Sequence, residues 1–179
     1  MSDLAWETLS EEVAYSCEGF DVVTQSVRLP DGTEAEFDYL SEAESVVVLP
    51  FRADGEVVVI EEWRQAVERR NRGLPAGTLE PGEEPAVAVD RELREETGHK
   101  AGDATHLTTV EPANGYADSV FHYFVAEGCE RAGDQSLDAD ESIEVGTADF
   151  KNLLAEVRNG ELRDGRSAFG ICYYELFGP

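Results

Sequence analysis

The sequence has few or none of the features that several protein classes require. It contains three cysteines, Cys17, Cys129 and Cys172, which are far apart and form no Cys-x-x-Cys pair. This usage argues against a disulfide framework and against a zinc site, and it predicts a reducing compartment, the cytoplasm. The apolar runs are far shorter than the roughly 20 residues that a membrane-spanning helix needs. Residues 1–9 lack a basic region followed by an apolar run, so no signal peptide is expected.

Positive charge is also scarce. The chain has 14 basic against 39 acidic residues, a formal net charge of −25, and only two lysines, Lys100 and Lys151. Nucleic acid is therefore not expected as a partner, since a polyanion would be repelled, and an anionic membrane surface is disfavoured for the same reason. Acid spread along the whole chain with so little lysine resembles proteins of salt-loving microbes; the alternative is an ordinary acidic protein.

The 179 residues are 41% apolar, enough for one domain with a real core. The segments Phe20–Leu29 and Thr33–Leu40 predict a hairpin around a Pro-Asp-Gly turn. Ser45–Phe51 and Glu56–Trp63 predict a second strand pair. The run of apolar residues at 46–49 does not alternate, which indicates a strand buried on both faces. Further strands are expected at Thr105–Val110, Val120–Ala126 and Ile143–Gly146.

Helices are predicted at Pro85–Thr97, at Asp149–Arg158 and from about Ser167 to Phe177. The first has proline at its start and Gly98 just past its end, the residue types that suit those positions. Arg64–Thr78 is expected to be irregular and Gly128–Asp140 to be an acidic loop. Strands and helices in this order predict a mixed sheet covered by helices.

Three glutamates on the first helix are the main candidate for chemistry. Glu92, Glu95 and Glu96 are spaced i, i+3, i+4, so their carboxylates share one face of the helix. Like charges at this spacing repel, and they lie near the helix C-terminus, where the dipole disfavours anions. A bound Mg²⁺ would compensate. A solvated acidic face is the alternative in so acidic a protein.

The spacing of residues from Gly77 to Gly98 is a more specific signal than the three glutamates alone. Gly77 is followed by Glu83 after five intervening residues, and by Arg91-Glu92-Leu93 after seven more, then Glu95-Glu96 and Gly98. This matches the pattern GX5EX7REUXEEXGU, where U is a bulky apolar residue, and the chain resembles the Nudix hydrolase superfamily. His99 departs from the pattern, since the family usually has an apolar residue there.

The resemblance implies a metal site and its supports. Glu92 and Glu96 correspond to the family's main metal ligands, Glu95 assists as ligand and in catalysis, and the carbonyl of Ala76 completes the site. Arg91 is counted with the catalytic residues and is expected to pair with Glu83, which braces the loop against the helix. Gly77, Glu83 and Gly98 are expected to be structural. The implied cofactor is Mg²⁺, with Mn²⁺ an acceptable substitute because it also takes oxygen ligands.

Further segments resemble the ADP-ribose pyrophosphatase branch of that superfamily. They include Leu74-Pro75-Ala76-Gly77, Gly19-Phe20-Asp21-Val22 and Gly160-Glu161-Leu162-Arg163-Asp164. The branch implies an α+β fold, an α/β/α sandwich with a mixed central sheet and an N-terminal antiparallel strand segment. We expect residues 1–43 to form that segment and to mediate a homodimer, and residues 44–179 to form the hydrolase domain.

The resemblance also assigns residues outside the box. Arg64 corresponds to a substrate-contacting arginine, although a surface arginine is the plain alternative. Glu141 aligns with an acidic residue that binds metal or positions water, with Asp140 beside it; both are otherwise ordinary acids of a charged loop. Asp118 stands next to a position where the branch often has glutamate, and Phe20 is a candidate to stack on a base or to pack in an interface.

The expected activity is Mg²⁺-dependent hydrolysis of ADP-ribose, or of a related nucleoside diphosphate sugar, to a nucleoside monophosphate and a sugar phosphate. Two alternatives remain at this stage: a nucleoside triphosphate pyrophosphatase and a non-catalytic module that senses ADP-ribose. Gly73 replaces the glutamate that the branch usually has before Leu-Pro-Ala-Gly, and this departure leaves the substrate open.

Overall fold

The computed structural model describes residues 4–139 and 141–179. These residues form two compact units. One contains residues 4–44 and 110–120, and the other contains residues 45–109, 121–139 and 141–179. The strands and helices are β1 Glu7–Ser16, β2 Asp21–Arg28, β3 Glu34–Ser41, β4 Ser45–Arg52, β5 Glu56–Arg64, β6 Arg69–Gly73, β7 Ala76–Thr78, α1 Pro85–Thr97, β8 His99–Lys100, β9 Asp103–Val110, β10 Phe121–Arg131, β11 Ile143–Asp149, α2 Phe150–Asn159 and α3 Gly165–Phe177.

The first unit is built on an antiparallel sheet with the strand order β1-β2-β3. The predicted hairpin is confirmed, since β2 and β3 pair in register from Asp21–Ser41 to Arg28–Glu34. Gly32 in its turn has φ of 87°, a conformation that side chains with a Cβ rarely adopt. The third strand, β1, was not predicted from the sequence. All of its residues are exposed.

The second unit contains a mixed sheet whose main strand order is β11-β5-β4-β10-β8. β10 runs parallel to β4, while β5 pairs antiparallel with β11. Val46, Val47, Val48 and Leu49 on β4 are all buried. The continuous apolar run is therefore a central strand covered on both faces, as predicted.

Helices cover both faces of this sheet. On one face, Val89 and Leu93 of α1 pack in a buried cluster with Val46 and Val48 of β4. On the other face, Phe51 of β4 packs against aromatic rings of both C-terminal helices, Phe150 of α2 and Tyr174 of α3. Alternate residues of a strand point to opposite faces, so the even and odd positions of β4 serve different helices. This arrangement is the predicted α/β/α sandwich.

Two segments differ in the structure from what the sequence predicts. Arg64–Thr78 is not irregular, because it contains a short 3-10 turn at Gln65–Val67 followed by β6 and β7. The acidic loop does not begin at Gly128, because β10 continues to Arg131. Both segments are rich in charged or small residues and show no hydrophobic alternation. Pairing with β5 holds β6, and pairing with β8 holds the end of β10.

The first helix follows its sequence signals closely. Pro85 occupies the first turn, and Gly98 adopts a left-handed conformation with φ of 68° while its N–H bonds to the carbonyl of Arg94. A Cβ at Gly98 would also lie 2.5 Å from the carbonyl oxygen of Gly133. Within the described residues no helix is long and apolar enough to cross a membrane.

Candidate active site

The acidic face of α1 is divided between buried and exposed carboxylates. Glu92 and Glu96 are only 7% and 3% exposed, whereas the Glu95 side chain is 43% exposed. Residues four apart lie on the same side of a helix, so Glu92 and Glu96 turn inward together. Leu93 and Val89, both fully buried, fix the helix on the sheet and thereby set the direction of these carboxylates.

Strand β7 passes close to the two buried carboxylates. The backbone N–H of Ala76 donates to Glu96 Oε2 at 3.0 Å. A Cβ placed on Gly77 would lie 2.0 Å from the carboxyl carbon of Glu92. Only glycine therefore allows the strand and the carboxylate to approach so closely. Because Gly77 pairs with Val46 of β4, the sheet holds this approach in place.

Arg91 braces the loop before α1 against the acidic face. It donates to both carboxylate oxygens of Glu83 at 2.9 and 2.6 Å, and to the carbonyl of Thr78 at 2.9 Å. It also donates to Glu92 at 2.7 Å and to Glu95 at 3.1 Å. The side-chain hydrogen bonds from Arg91 lower the pKa of Glu83 to about 2. The pairing of Arg91 with Glu83 expected from the sequence is present.

Burial makes the two inward carboxylates costly to ionise. It raises the pKa of Glu96 to about 8, opposed by the Ala76 N–H and reinforced by the charge of Glu92. Burial also raises the pKa of Glu92, although the charge of Arg91 opposes it. Two buried carboxylates near each other favour a proton or a cation between them.

These groups open onto a cleft of about 380 Å³. Its lining contains Arg64 and Glu141, so the structure brings these two candidates to the same place as the glutamates of α1. The lining residues are Ser45, Arg64, Ala76, Gly77, Thr78, Glu80, Arg91, Glu92, Glu95, Glu96, Ser136, Asp138, Glu141 and Arg166. The sequence did not single out Arg166, Ser136 or Asp138, because nothing in their local pattern separates them from other polar surface residues.

The donor set of the cleft suits a hard divalent cation. The glutamate side chains offer oxygen atoms only, the ligands that Mg²⁺ and Mn²⁺ prefer. Among residues 4–139 and 141–179, no three His, Cys, Asp or Glu side chains are already arranged to hold a metal ion. Arg91 and the Ala76 N–H bind oxygens of Glu92 and Glu96 instead. The carboxylates keep further lone pairs for such an ion, so the residues present fit it.

The profile of the NUDIX domain matches residues 41–162, more than half of the chain. The chain belongs to the Nudix family. It is 32% identical over 177 residues to the ADP-ribose pyrophosphatase of Bacillus subtilis (strain 168), an alignment that covers 98% of this chain and 96% of that protein. It is 26% identical over 171 residues to the methanol dehydrogenase activator of Bacillus methanolicus, covering 95% and 92% of the two chains.

A solved structure supports the fold independently. A crystal structure described as an ADP compounds hydrolase superposes with a TM-score of 0.84 at 21% sequence identity, and covers 96% of this chain and 93% of that chain. At this identity the likeness shows the Nudix fold alone. The fold class predicted from the sequence is confirmed.

The loop that carries Glu141 is fastened to the end of the Nudix helix. The N–H of Ser136 donates to the carbonyl of Glu95 at 2.9 Å, and Gln135 Nε2 donates to the carbonyl of Glu96 at 2.6 Å. Within the loop, the N–H of Asp138 donates to Glu141 Oε2 at 3.0 Å. These bonds satisfy carbonyls in the last turn of the helix and hold Glu141 at the cleft. Asp140 lies outside the described residues.

Two other candidates belong to the unit of residues 4–44 and 110–120. Asp118 accepts hydrogen bonds from Ser41 Oγ at 2.8 Å and from the N–H of Glu42 at 2.9 Å. The ring of Phe20 lies 6.4 Å from that of Tyr15, measured between centroids. The contacts that the structure gives them are within that unit, and their role in binding substrate stays a prediction.

Gly73, which stands where the ADP-ribose pyrophosphatase branch usually has glutamate, is closely packed in the structure. A Cβ at this position would lie 2.8 Å from Ser167 Oγ and 3.3 Å from an oxygen of Asp164. The start of α3 thus occupies the space that a side chain at residue 73 would need.

Proposed function

We propose that this Nudix hydrolase cleaves the pyrophosphate bond of ADP-ribose, or of a related nucleoside diphosphate sugar, and releases a nucleoside monophosphate and a sugar phosphate. The observation that carries the proposal is the cleft itself. Its lining combines the signature glutamates Glu92, Glu95 and Glu96 with Arg64 and with Glu141 on the acidic loop. The similarity to an ADP-ribose pyrophosphatase over nearly the whole chain supports the choice of substrate class.

The proposed cofactor is a divalent cation, Mg²⁺ or in its place Mn²⁺. Glu92, Glu95 and Glu96 and the carbonyl of Ala76 are the groups that would hold it. When bound, such an ion polarises the pyrophosphate and lowers the pKa of a bound water. Burial raises the pKa of the Glu96 carboxyl, so a cation bound beside it would favour its ionised form.

The chain's own residues supply the remaining tasks. Arg64 is proposed to donate hydrogen bonds to the substrate phosphates. Glu141 is proposed to accept the proton of the attacking water, or to position that water, because it lies on the lining of the same cleft. Arg91 holds the carboxylates of α1 and the preceding loop in one arrangement, so its contribution to catalysis is one of support.

Turnover of a substrate panel tests the function. ADP-ribose, GDP-mannose, UDP-glucose and dGTP are each incubated with the protein in Mg²⁺, and the nucleoside monophosphate products are separated and identified by ion-exchange chromatography. We expect ADP-ribose or another nucleotide sugar to be hydrolysed, and EDTA to abolish the reaction. Preferred turnover of dGTP would indicate a triphosphate pyrophosphatase, and no turnover of any of them would indicate a sensing module.

Replacing Glu141 tests its proposed role. We expect Glu141→Gln to lower kcat by about 100-fold or more, the contribution typical of a general base. Glu144→Gln is the matched control, because Glu144 follows on the same segment, is exposed and pairs with Arg70 rather than lining the cleft. Unchanged turnover in Glu141→Gln would remove this residue from the mechanism.

The remaining proposals rest on the resemblance and on the composition of the chain. We propose that residues 1–43 mediate a homodimer, that Phe20 and Asp118 contribute to substrate binding, and that the protein acts in the cytoplasm without nucleic acid or membrane partners. The net charge of −25 supports the absence of polyanionic partners.

A further inference from the structure

Three arginines line the cleft among its described residues, and they differ in how much of their hydrogen-bonding capacity is used. Arg91 is engaged by Glu83, Glu92, Glu95 and the carbonyl of Thr78. Arg64 pairs with Glu62 at 2.7 Å, and Arg166 pairs with Asp164 at 3.4 Å. A guanidinium has five N–H donors in a planar fork. Arg64 and Arg166 therefore keep donors for a ligand in the cleft.

Each of these two arginines pairs with a carboxylate that is buried or half-buried. The Glu62 side chain is 10% exposed and that of Asp164 is 19% exposed, while Arg64 and Arg166 are 38% and 28% exposed. Burial raises the pKa of Glu62, and the charges of both Arg64 and Arg166 oppose that rise. One buried carboxylate thus lies within electrostatic reach of both guanidiniums.

The position of Arg166 is set by the first turn of α3. Asp164 caps this helix by accepting a hydrogen bond from the N–H of Ser167. Ser167 Oγ in turn accepts a hydrogen bond from the N–H of Leu74 at 2.8 Å. Leu74 lies just before Ala76 and Gly77 in the chain. The turn that carries Arg166 is therefore anchored to the segment that leads into the acidic site.

The negative charge of the cleft favours more than one arginine for binding an anionic substrate. Apart from the arginines, its ionisable lining consists of carboxylates, and the chain as a whole carries a net charge of −25. A nucleoside diphosphate is also an anion and is repelled by such a surface. Guanidinium groups bind phosphate oxygens through paired N–H donors and offset this repulsion.

We propose that Arg166 is a second phosphate-binding arginine, which together with Arg64 binds the diphosphate of the substrate. This inference rests on the proposed function, since it concerns the substrate class of the same cleft. Nothing in the local sequence around Arg166 identifies it, because the role depends on where α3 begins relative to β5 and β7.

Binding of an analogue that resists hydrolysis tests the proposal. Affinities for α,β-methylene-ADP and for adenosine are measured by calorimetry in Mg²⁺ with the wild type, Arg166→Ala and Arg166→Lys. We expect Arg166→Ala to weaken α,β-methylene-ADP binding by about 10- to 100-fold, the range typical of charge-assisted hydrogen bonds, and to leave adenosine binding unchanged. Arg166→Lys should lie between the two, because it keeps the charge and loses the planar fork.

Arg163→Ala is the matched control. Arg163 is exposed, lies on the same segment and donates to the carbonyl of Gly160. The Arg163→Ala variant should bind α,β-methylene-ADP with an affinity within twofold of that of the wild type. Urea unfolding of each variant checks that α3 remains folded, and Arg166→Lys preserves the test if the alanine variant unfolds.

The outcomes separate this proposal from the proposed function. Equal affinity of Arg166→Ala, Arg166→Lys and the wild type for the analogue would overturn the role of Arg166, even if ADP-ribose is hydrolysed. Arg166-dependent binding without turnover of any nucleotide sugar would uphold the role of Arg166 and contradict the proposed hydrolysis. A wild type that does not bind the analogue would overturn the phosphate-binding proposal.

Discussion

Gly77 and Glu92 approach each other closely in the site. The glycine backbone occupies the space beside the Glu92 carboxyl, where a Cβ would lie 2.0 Å from its carbon. Glu92 is buried and Arg91 holds one of its carboxylate oxygens at 2.7 Å, so a side chain at residue 77 would have to push the carboxyl out of this arrangement. The signature glycine is thus required by close packing against a functional side chain.

Gly77→Ala should disable the site while leaving the fold largely intact. The new methyl group displaces the Glu92 carboxyl, and a displacement of about 1 Å in a catalytic group lowers turnover by about 100-fold. We expect this loss in kcat with the optimal nucleotide sugar. Gly146→Ala on β11 is the control, since its Cβ would meet a Val59 methyl at 3.7 Å, an ordinary contact. Near wild-type turnover in Gly77→Ala would contradict the packing argument.

The Glu83–Arg91 pair should make stability depend on pH in a defined window. Arg91 lowers the pKa of Glu83 from 4.5 to about 2. A carboxyl with a lowered pKa contributes stability above its unfolded-state pKa and loses it as pH falls. Glu83→Gln should therefore reduce the free energy of unfolding by roughly 2 kcal/mol at pH 7, and the difference from the wild type should shrink between pH 4.5 and 2.

Urea unfolding of both proteins at intervals from pH 7 to pH 3 measures this difference. Glu84→Gln serves as the control because Glu84 is the exposed neighbour that precedes the helix. A difference between Glu83→Gln and the wild type that stays constant over this range would show that the pair does not act through its charge.

At the scale of elements, the Nudix helix and the acidic loop form one connected structure. Gln135 and Ser136 of the loop donate hydrogen bonds to backbone carbonyls in the last turn of the helix, which have no partner within the helix itself. Glycine ends the helix at residue 98, and the N–H groups of Ala132 and Gly133 both donate to the carbonyl of Gly98. The helix end therefore positions the start of the loop that brings Glu141 to the cleft.

The three-stranded sheet of the first unit presents apolar side chains to solvent in the single chain. On β1, Val13 is 56% and Tyr15 58% exposed, and the preceding Trp6 is 49% exposed. Exposed apolar groups gathered on one small sheet are typical of an interaction surface. The expected homodimer would cover them with a second copy of the chain.

Val13→Asp tests whether this sheet holds two chains together. A carboxylate buried in an apolar interface is strongly unfavourable, so we expect the variant to sediment as a monomer if the wild type is a dimer. Val87→Asp is the control, because Val87 on α1 is 60% exposed, about as much as Val13. Sedimentation of the wild type as a monomer, or of Val13→Asp as a dimer, would contradict this interface.

At the scale of the whole molecule, charge is the dominant feature. The net charge of −25 is spread over both units, and lysine is almost absent. Many ion pairs lie on the surface, for example Arg28 with Glu7 and Arg131 with Asp134. Such exposed pairs contribute little each, so they do not cancel the repulsion among the excess carboxylates.

The free energy of unfolding should rise when KCl is increased from 0.1 to 3 M. The distance over which charges act falls from about 10 Å at 0.1 M to about 3 Å at 1 M salt, so repulsion among the carboxylates weakens. Urea unfolding at each concentration measures the effect. Sucrose at matched water activity separates charge screening from general stabilisation of the compact state. If stability fails to rise with KCl, the protein is ordinarily acidic rather than adapted to salt.

Much of the site could be predicted because its residues lie close in sequence. Glu92, Glu95 and Glu96 share a helix, so the helical period alone places them together. Arg64, Glu141 and Arg166 come from β5, the acidic loop and α3. Resemblance to the Nudix family identified the first two, whereas Arg166 emerged only when the cleft was assembled.

The sequence by itself determined the helix of the Nudix signature, its start and end, the central apolar strand and the excess of negative charge. These features follow from local conformational preference and from composition. Tertiary structure alone decided that β6 and β7 become strands, that Gly77 lies against Glu92, and that two arginines from distant segments line one carboxylate-rich cleft. Those outcomes depend on pairing and close packing between residues far apart in the chain, which local pattern does not specify. The tertiary structure therefore placed around the acidic helix the two arginines, Arg64 and Arg166, that we propose bind a phosphate-bearing substrate.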